Sequence, residues 1–293
     1  MPVDLSNLGG WRADDGHVAI ASTMPSLVSA PLYAAKPSKP ILLYKAWKDV
    51  LGKYPDYPSQ EIGDCTSFGH AHANDLRECV EICLGEPSEY RETDTEFIYG
   101  MSRKIAGILG AFDGSYGAAA VKAMTQVGIV SREMLGANGA YSGQRAKSWG
   151  YYGPPAEVEA MAAPFKTHGV AKVSYVQQAI SILWSGCPFT ICSSQGFTLQ
   201  RDKNGFCQPS GRWDHCMFVC GWRPNPEGFL ICQSWGPNSP QGPLDLDQPP
   251  FSFWCDPQTM QSILNAGDSW AIISSPDFIK KKRKLPASFT KAA

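Results

Sequence analysis

Apolar positions recur at helical spacing through the first part of the chain and gather into short unbroken runs after Pro188. Residues 65–84 carry one stripe made of Phe68, Ala71, Leu76, Cys79, Val80 and Cys83, with Asp64 ahead of it as an N-cap and Gly85 behind it as a stop. Residues 95–109, residues 117–127 closed by Gly128, and residues 173–184 ahead of Gly186 are expected to be further helices. After Pro188 come FTICSS, HCMFVCGW and GFLICQSW, apolar or aromatic runs separated by Gly, Pro and Asn, the pattern of antiparallel strands. Helices first and strands later predict an α+β protein. Its helical lobe, about residues 60–185, would pack on a β lobe, about residues 186–275, with the substrate cleft between them.

Outside this body the pattern lapses. Residues 1–40 are rich in Ala, Ser and Pro with little periodicity, and they read as an extended arm: a propeptide, a docking strap or a linker. The body is expected over residues 41–278. Residues 279–293 form a tail whose KKKRK at 280–284 reads as a solvated basic end. The arm and tail are the segments through which assembly partners could be held. No internal repeat is visible.

Composition narrows the function. With 293 residues, 43% of them hydrophobic, the chain can bury a large core or two ordinary lobes without a staple. No run approaches the roughly 18 apolar residues of a membrane helix, so no membrane partner is expected. A formal charge of -1 gives no basic excess for phosphates, so no nucleic-acid partner is expected either. Asp4, Arg12, Asp14, Asp15 and His17 crowd the first 17 residues, and the apolar stretch 18–21 is too short for a signal-peptide core. The expected location is the cytoplasm or a virus particle. The ten cysteines are scattered in no zinc template and read mostly as reduced core residues, including Cys79 with Cys83 on one helix face and Cys216 with Cys220 on one strand face.

One cysteine has a different setting. Cys65 opens a helix, where backbone N–H groups and the helix dipole favour a thiolate. A nucleophile needs a base, and the chain has five histidines. His17 lies in the arm, His168 in a Gly-flanked loop, and His70 and His72 on Cys65's own helix, which leaves His215 among the strand residues RWDHCMFVCGW. Eighteen residues on, Gln233 offers a carboxamide able to accept a hydrogen bond from the histidine ring, and Trp235 could shield it from water.

EIGDCTSFG at 61–69, WDHCMFVCGW at 213–222 and FLICQSWG at 229–236 resemble, in this order, the nucleophile, histidine and Asn-Ser-Trp-Gly motifs of the papain-like cysteine peptidases. His215 follows Cys65 at the edge of the roughly 130–150-residue separation of that pattern. DGSYGAAAVKAMTQVGIV resembles the helical stretch of bacterial and viral members without disulfides, and FWCDPQTM and DSWAII resemble the closing strands. GWRADD at 10–15 is weakly similar to the start of such bacterial proteins. The likeness spans roughly residues 41–275 and touches the arm. It implies a two-lobe papain-like fold, a helical lobe against an antiparallel sheet or barrel, and a Cys65–His215–Gln233 site that hydrolyses peptide bonds through an acyl-enzyme without metal or organic cofactor. By the same resemblance Gly117 would hold substrate backbone and Asp214 stands where the family carries an acid beside its histidine. The chain departs from the family at two positions. Gln233 replaces the orienting Asn, and the Gln found six residues before the nucleophile is here Ser59, with Gln60 five before as the alternative oxyanion donor.

The substrate class under this reading is polypeptide. A rival reading makes the chain a catalytically weak or inactive papain-fold component of a larger assembly such as a virus particle, and a third gives the same fold amidase, transglutaminase or cell-wall peptide chemistry.

Overall fold

The computed structural model describes residues 8–24, 27–29, 32–33, 35–273 and 283–291. The arm is not extended throughout. Its first described stretch, residues 8–12, crosses the molecule and leads into a short helix, α1 (Gly16–Ala21); β1 (Leu27–Val28) then pairs in parallel with a strand of the body. Trp11 and Met24 are buried, so the arm shares the core although its composition is aperiodic. Chain 41–51 supplies β2 (Ile41–Leu42) and α2 (Lys45–Leu51), whose Trp47 is fully buried.

The helical lobe is built on α3 (Cys65–Cys83), α4 (Thr95–Ala106), α5 (Gly117–Gln126), α6 (Gly143–Tyr152) and α7 (Ala156–Ala162). The expected helix over 95–109 stops at Ala106, because Gly107 turns into the left-handed region at φ 68° and donates back to Arg103 and Lys104 carbonyls. Phe97, Met101, Ala123, Val130, Val158 and Ala162 form this lobe's own core. The β lobe contains β3 (Gly169–Lys172), α8 (Val176–Trp184), β4 (Phe189–Phe197), β5 (Pro209–Pro224), β6 (Glu227–Cys232), β7 (Ser252–Cys255), α9 (Pro257–Leu264) and β8 (Trp270–Ile273). Helix α8 begins at Val176 rather than 173, since the Val173 N–H is taken by the Ser269 carbonyl beside β8.

The strands form one open sheet in the order β1-β3-β8-β4-β5-β6-β7, with β2 also on β5. It does not close into a barrel. Among the described strands, every pairing except β1 on β3 is antiparallel. The apolar stripe of α3 lies on the middle of this sheet: Leu76, Cys79 and Val80 join Phe189, Ile191, Met217, Phe218 and Val219 in one core. Helix and strand can approach because position 69 lacks a Cβ, which would stand 3.0 Å from Cys216 Sγ and 3.3 Å from the Met217 carbonyl. The contact fixes the start of α3 beside the middle of β5, so the helix start and the sheet meet at Cys65 and Cys216. Among the described residues no helix is long and apolar enough to cross a membrane.

Residues 280–282 of the basic tail lie outside the described residues. Arg283 donates to Glu86 Oε1 at 2.8 Å, and Leu285 and Phe289 are buried, so the chain beyond the basic run returns to the core.

Buried histidine makes this fold acid-sensitive. The His72 ring stacks on Tyr57 at 3.6 Å between centroids and meets Phe68 and Phe218 edge-on. Burial, helped by the Arg132 charge, pushes its pKa from 6.5 down to about 3. The unfolded chain therefore binds the proton first, and stability falls as pH drops from 6.5 toward 3. His72→Phe, which suits this aromatic pocket, should spare about 2 kcal/mol of the loss between roughly pH 6.5 and 5. Urea midpoints of parent and variant at the two pH values check this, and parallel pH profiles would refute it.

Candidate active site

Cys65 is the first residue of α3 and is fully buried. Its expected N-cap does not act as one. The Asp64 side chain makes no capping bond; its Oδ2 accepts from Tyr141 Oη at 2.9 Å, while Oδ1 is buried without a hydrogen-bond partner. Burial first, and then the nearby Glu96 charge, push the Asp64 carboxyl well above the usual carboxylate range. The first turn is closed instead by the Asp64 carbonyl, which accepts from Ser67 Oγ at 2.6 Å and Ser67 N at 3.0 Å.

Strand β5 meets this helix start with His215 and Cys216. The Cys216 N–H donates to Cys65 Sγ at 3.4 Å, so the base predicted from the sequence is the residue next to the peptide N–H that touches the sulfur. His215 is fully buried. Its ring stacks on Trp235 at 4.5 Å between centroids, with Trp213 edge-on at 6.3 Å. The Gln233 carboxamide lies near enough to raise the ring's affinity for a proton, yet neither ring nitrogen and neither Gln233 amide atom reaches hydrogen-bonding geometry. Burial dominates, and the imidazole is pushed down to about 3. Burial likewise pushes the Cys65 thiol up, with the Cys216 thiol adding to it and the N–H groups of Cys216 and Gly10 opposing it. Burial thus favours the neutral form of both groups.

The other expected residues divide. Gln60 turns its carboxamide toward the cleft: Nε2 donates to the Leu8 and Ile62 carbonyls, both at 2.8 Å, and Oε1 accepts from Ser234 Oγ at 2.6 Å. Ser59 instead lies against Gly236, where its Oγ would meet an added Cβ at 1.8 Å. Asp214, held at φ 47°, aims its carboxylate at Ser194 Oγ and Arg212 Nε, both at 2.7 Å, and turns its carbonyl into the cleft. The Gly117 N–H donates to Asp268 Oδ2 at 2.7 Å, and the cleft is lined two residues earlier by Ser115.

What fills the cleft is the arm. The N–H groups of Gly10 and Trp11 donate to the Asp214 carbonyl at 3.0 and 2.9 Å on the β side. On the helical side the Gly10 carbonyl accepts from Ser115 N at 2.8 Å and the Arg12 N–H donates to the Ser115 carbonyl at 2.9 Å, a parallel bridge. Trp11 enters an apolar cluster with Cys65, Cys192 and Cys216, and its Nε1 donates to Asp268 Oδ2 at 2.9 Å.

This arrangement can be compared with known proteins. Xylellain, a cysteine protease from Xylella fastidiosa, superposes with a TM-score of 0.64 at 17% identity, over 92% of this chain and 97% of its own. The chain has the papain-like fold. Procathepsin B S9 from Trypanosoma congolense shares the papain-like fold at a TM-score of 0.60 and 10% identity, over 92% of this chain and 88% of that one. Digestive procathepsin L 3 of Tenebrio molitor larval midgut follows at 0.56 and 10%, over 92% and 77%. At such identities the likeness establishes architecture. No protein-family model matches the chain, and no curated protein sequence does.

Two features of this region of the papain-like fold escaped sequence reasoning. Asp268 is fully buried and collects four donors, the N–H groups of Gly117 and Ala118 and the indoles of Trp11 and Trp270. Its only local signal is an acid directly before the aromatic run SWAII. The second is a thiol pair behind Cys65. Cys192 and Cys216 stand opposite each other on β4 and β5 with their sulfurs 2.6 Å apart, and His70 Nδ1 is 4.0 Å from Cys216 Sγ. Burial raises the Cys216 thiol, but the hydrogen bonds from Cys192 and His70 overcome it and bring it down to about 7. All ten cysteines are free, nine of them buried and Cys83 half-buried.

Proposed function

We propose that the protein is a cysteine peptidase with Cys65 as nucleophile, His215 as base and Gln60 as oxyanion donor, and that residues 8–12 hold the channel closed. The observation that carries this reading is the pose of the arm. A stretch of main chain is hydrogen-bonded on both sides of the slot over Cys65, and one of its carbonyls, Leu8, accepts from Gln60 Nε2. The channel therefore binds polypeptide backbone where the nucleophile stands.

With the arm in place, burial keeps the proton on sulfur: the thiol is raised and the imidazole lowered, so transfer between them is unfavourable. Departure of residues 8–12 admits water and relaxes both shifts, the thiol downward and the imidazole upward. His215 then takes the Cys65 proton, and the thiolate attacks a substrate carbonyl whose oxygen is met by Gln60 Nε2. The C–N bond breaks as the imidazolium protonates the amine. Water deprotonated by His215 then attacks the thioester, releasing the acid and restoring the thiol. Stacking on Trp235 and the flanking Gln233 hold the ring in place through the cycle.

The test is hydrolysis of an unstructured protein by the parent, by Trp11→Ala, which lacks the indole anchor of the arm, and by Cys65→Ala. Trp11→Ala should exceed the parent by about tenfold or more, because one buried hydrogen bond and an aromatic side chain no longer hold the arm. Cys65→Ala should be inert. If neither active form outpaces Cys65→Ala while all three remain folded, the peptidase reading fails and a non-catalytic role for the fold replaces it.

A further inference from the structure

We infer that the channel over Cys65 selects paired glycines: its ligand is a polypeptide presenting Gly-Gly followed by a side chain with an aromatic body and an N–H donor. This deepens the peptidase reading and relies on it only for the statement that such a ligand is also cut.

The argument starts from the two arm residues that pass through the slot. A Cβ on Gly10 would stand 2.0 Å from the Gly63 carbonyl oxygen and 2.4 Å from its carbon. A Cβ on Gly9 would stand 2.5 Å from the Trp213 carbonyl oxygen. Neither glycine has a positive φ, so the backbone conformation itself is open to any residue. The walls alone demand the missing Cβ.

Those walls cannot yield as a side chain does, because the blocking atoms are main chain on both sides. Gly63 lies two residues before the start of α3 and is backed by Asp113 Cβ, 3.0 Å from where its own Cβ would stand. Trp213 belongs to β5, and its indole is packed between Phe197 and Trp235. Gly114 closes the helical side, with its own Cβ position 2.9 Å from the Gly10 carbonyl oxygen. The slot is thus one main chain wide.

The next position is selected by the opposite means. Trp11 fills a buried apolar site and its indole N–H reaches Asp268, an acceptor that no phenylalanine or leucine would satisfy. Together these features distinguish a Gly-Gly-Trp segment from an ordinary extended peptide.

The experiment reads protection of Cys65 from iodoacetamide at neutral pH by mass spectrometry, which needs no catalysis. In the full chain, Gly9→Ala/Gly10→Ala should expel the arm and speed labelling by about tenfold or more over the parent. Trp11→Ala, which adds no atoms, serves as a second opened form should the double variant misfold. Millimolar acetyl-Leu-Gly-Gly-Trp-Arg amide added to either form should slow labelling again, and acetyl-Leu-Ala-Ala-Trp-Arg amide should not. Equal protection by both peptides, protection by neither, or a folded double variant labelled no faster than the parent would overturn the inference. Chromatography of the same mixtures reads cleavage separately. Protection by the glycine peptide alone, without hydrolysis of any protein substrate, upholds glycine selection and sinks the peptidase reading.

Discussion

Asp268→Ala should cost about 4 kcal/mol of folding stability, the sum of several buried donors left without an acceptor at roughly 1–3 kcal/mol each, reduced by relaxation. The carboxylate is fully buried, and each oxygen serves two donors: Oδ1 accepts from Ala118 N at 2.7 Å and Trp270 Nε1 at 2.6 Å, Oδ2 from Gly117 N at 2.7 Å and Trp11 Nε1 at 2.9 Å. Two of these bonds satisfy the first turn of α5, where the helix dipole also favours a negative charge. The alanine variant leaves that turn uncapped and two indole N–H groups unpaired. Asp268→Asn keeps one oxygen but faces an NH2 toward two donors, so it should lose about half as much. Urea denaturation measures both losses. A cost below about 1 kcal/mol for alanine would contradict the account. The same variant should expose Cys65 to alkylation, since the indole anchor of the arm is lost with the carboxylate.

Arg103→Lys should cost about 3 kcal/mol and loosen the helical wall of the channel, despite keeping the charge. Arg103 is almost fully buried, and its guanidinium bonds carbonyls, not carboxylates: Nε donates to Gly150 at 2.8 Å, Nη1 to Gly114, and Nη2 to Ile108 at 2.7 Å and Gly110 at 3.2 Å. One planar fork ties α4 to the loop that ends at Ser115, where the arm is bound. A lysine ammonium is a point donor and cannot span carbonyls on different sides of the fork. The stability loss is read by urea denaturation and the loosened wall by faster exchange of the Ser115 amide, which the Gly10 carbonyl protects in the parent. A lysine variant within about 0.5 kcal/mol of the parent, with unchanged exchange, would show that the fork is dispensable.

Local pattern determined much of this protein. The stripe from Phe68 to Cys83 forced α3, and the aromatic run around His215 forced β5, because periodicity and continuous burial act within a few residues. Helix α5 likewise starts and stops where Gly117 and Gly128 announced it. The papain-like fold was legible in the order of three short motifs, each sitting on an element that its own residues specify.

Tertiary structure decided the rest. Asp64 sits at the N-cap position, yet its carboxyl belongs to Tyr141, 77 residues away. Gly117 sits where a substrate-binding glycine was expected, yet its N–H belongs to Asp268, 151 residues on. The arm has a composition that promised few core contacts of its own, and its residues 10–12 are held by partners at Ser115, Asp214 and Asp268 that no local window contains. Gly9 and Gly10 look like ordinary loop residues until two distant carbonyls close on them. Propensity and periodicity set what each element is, whereas hydrogen bonds and steric walls between distant segments set what each side chain does, and those are defined only once the lobes have met.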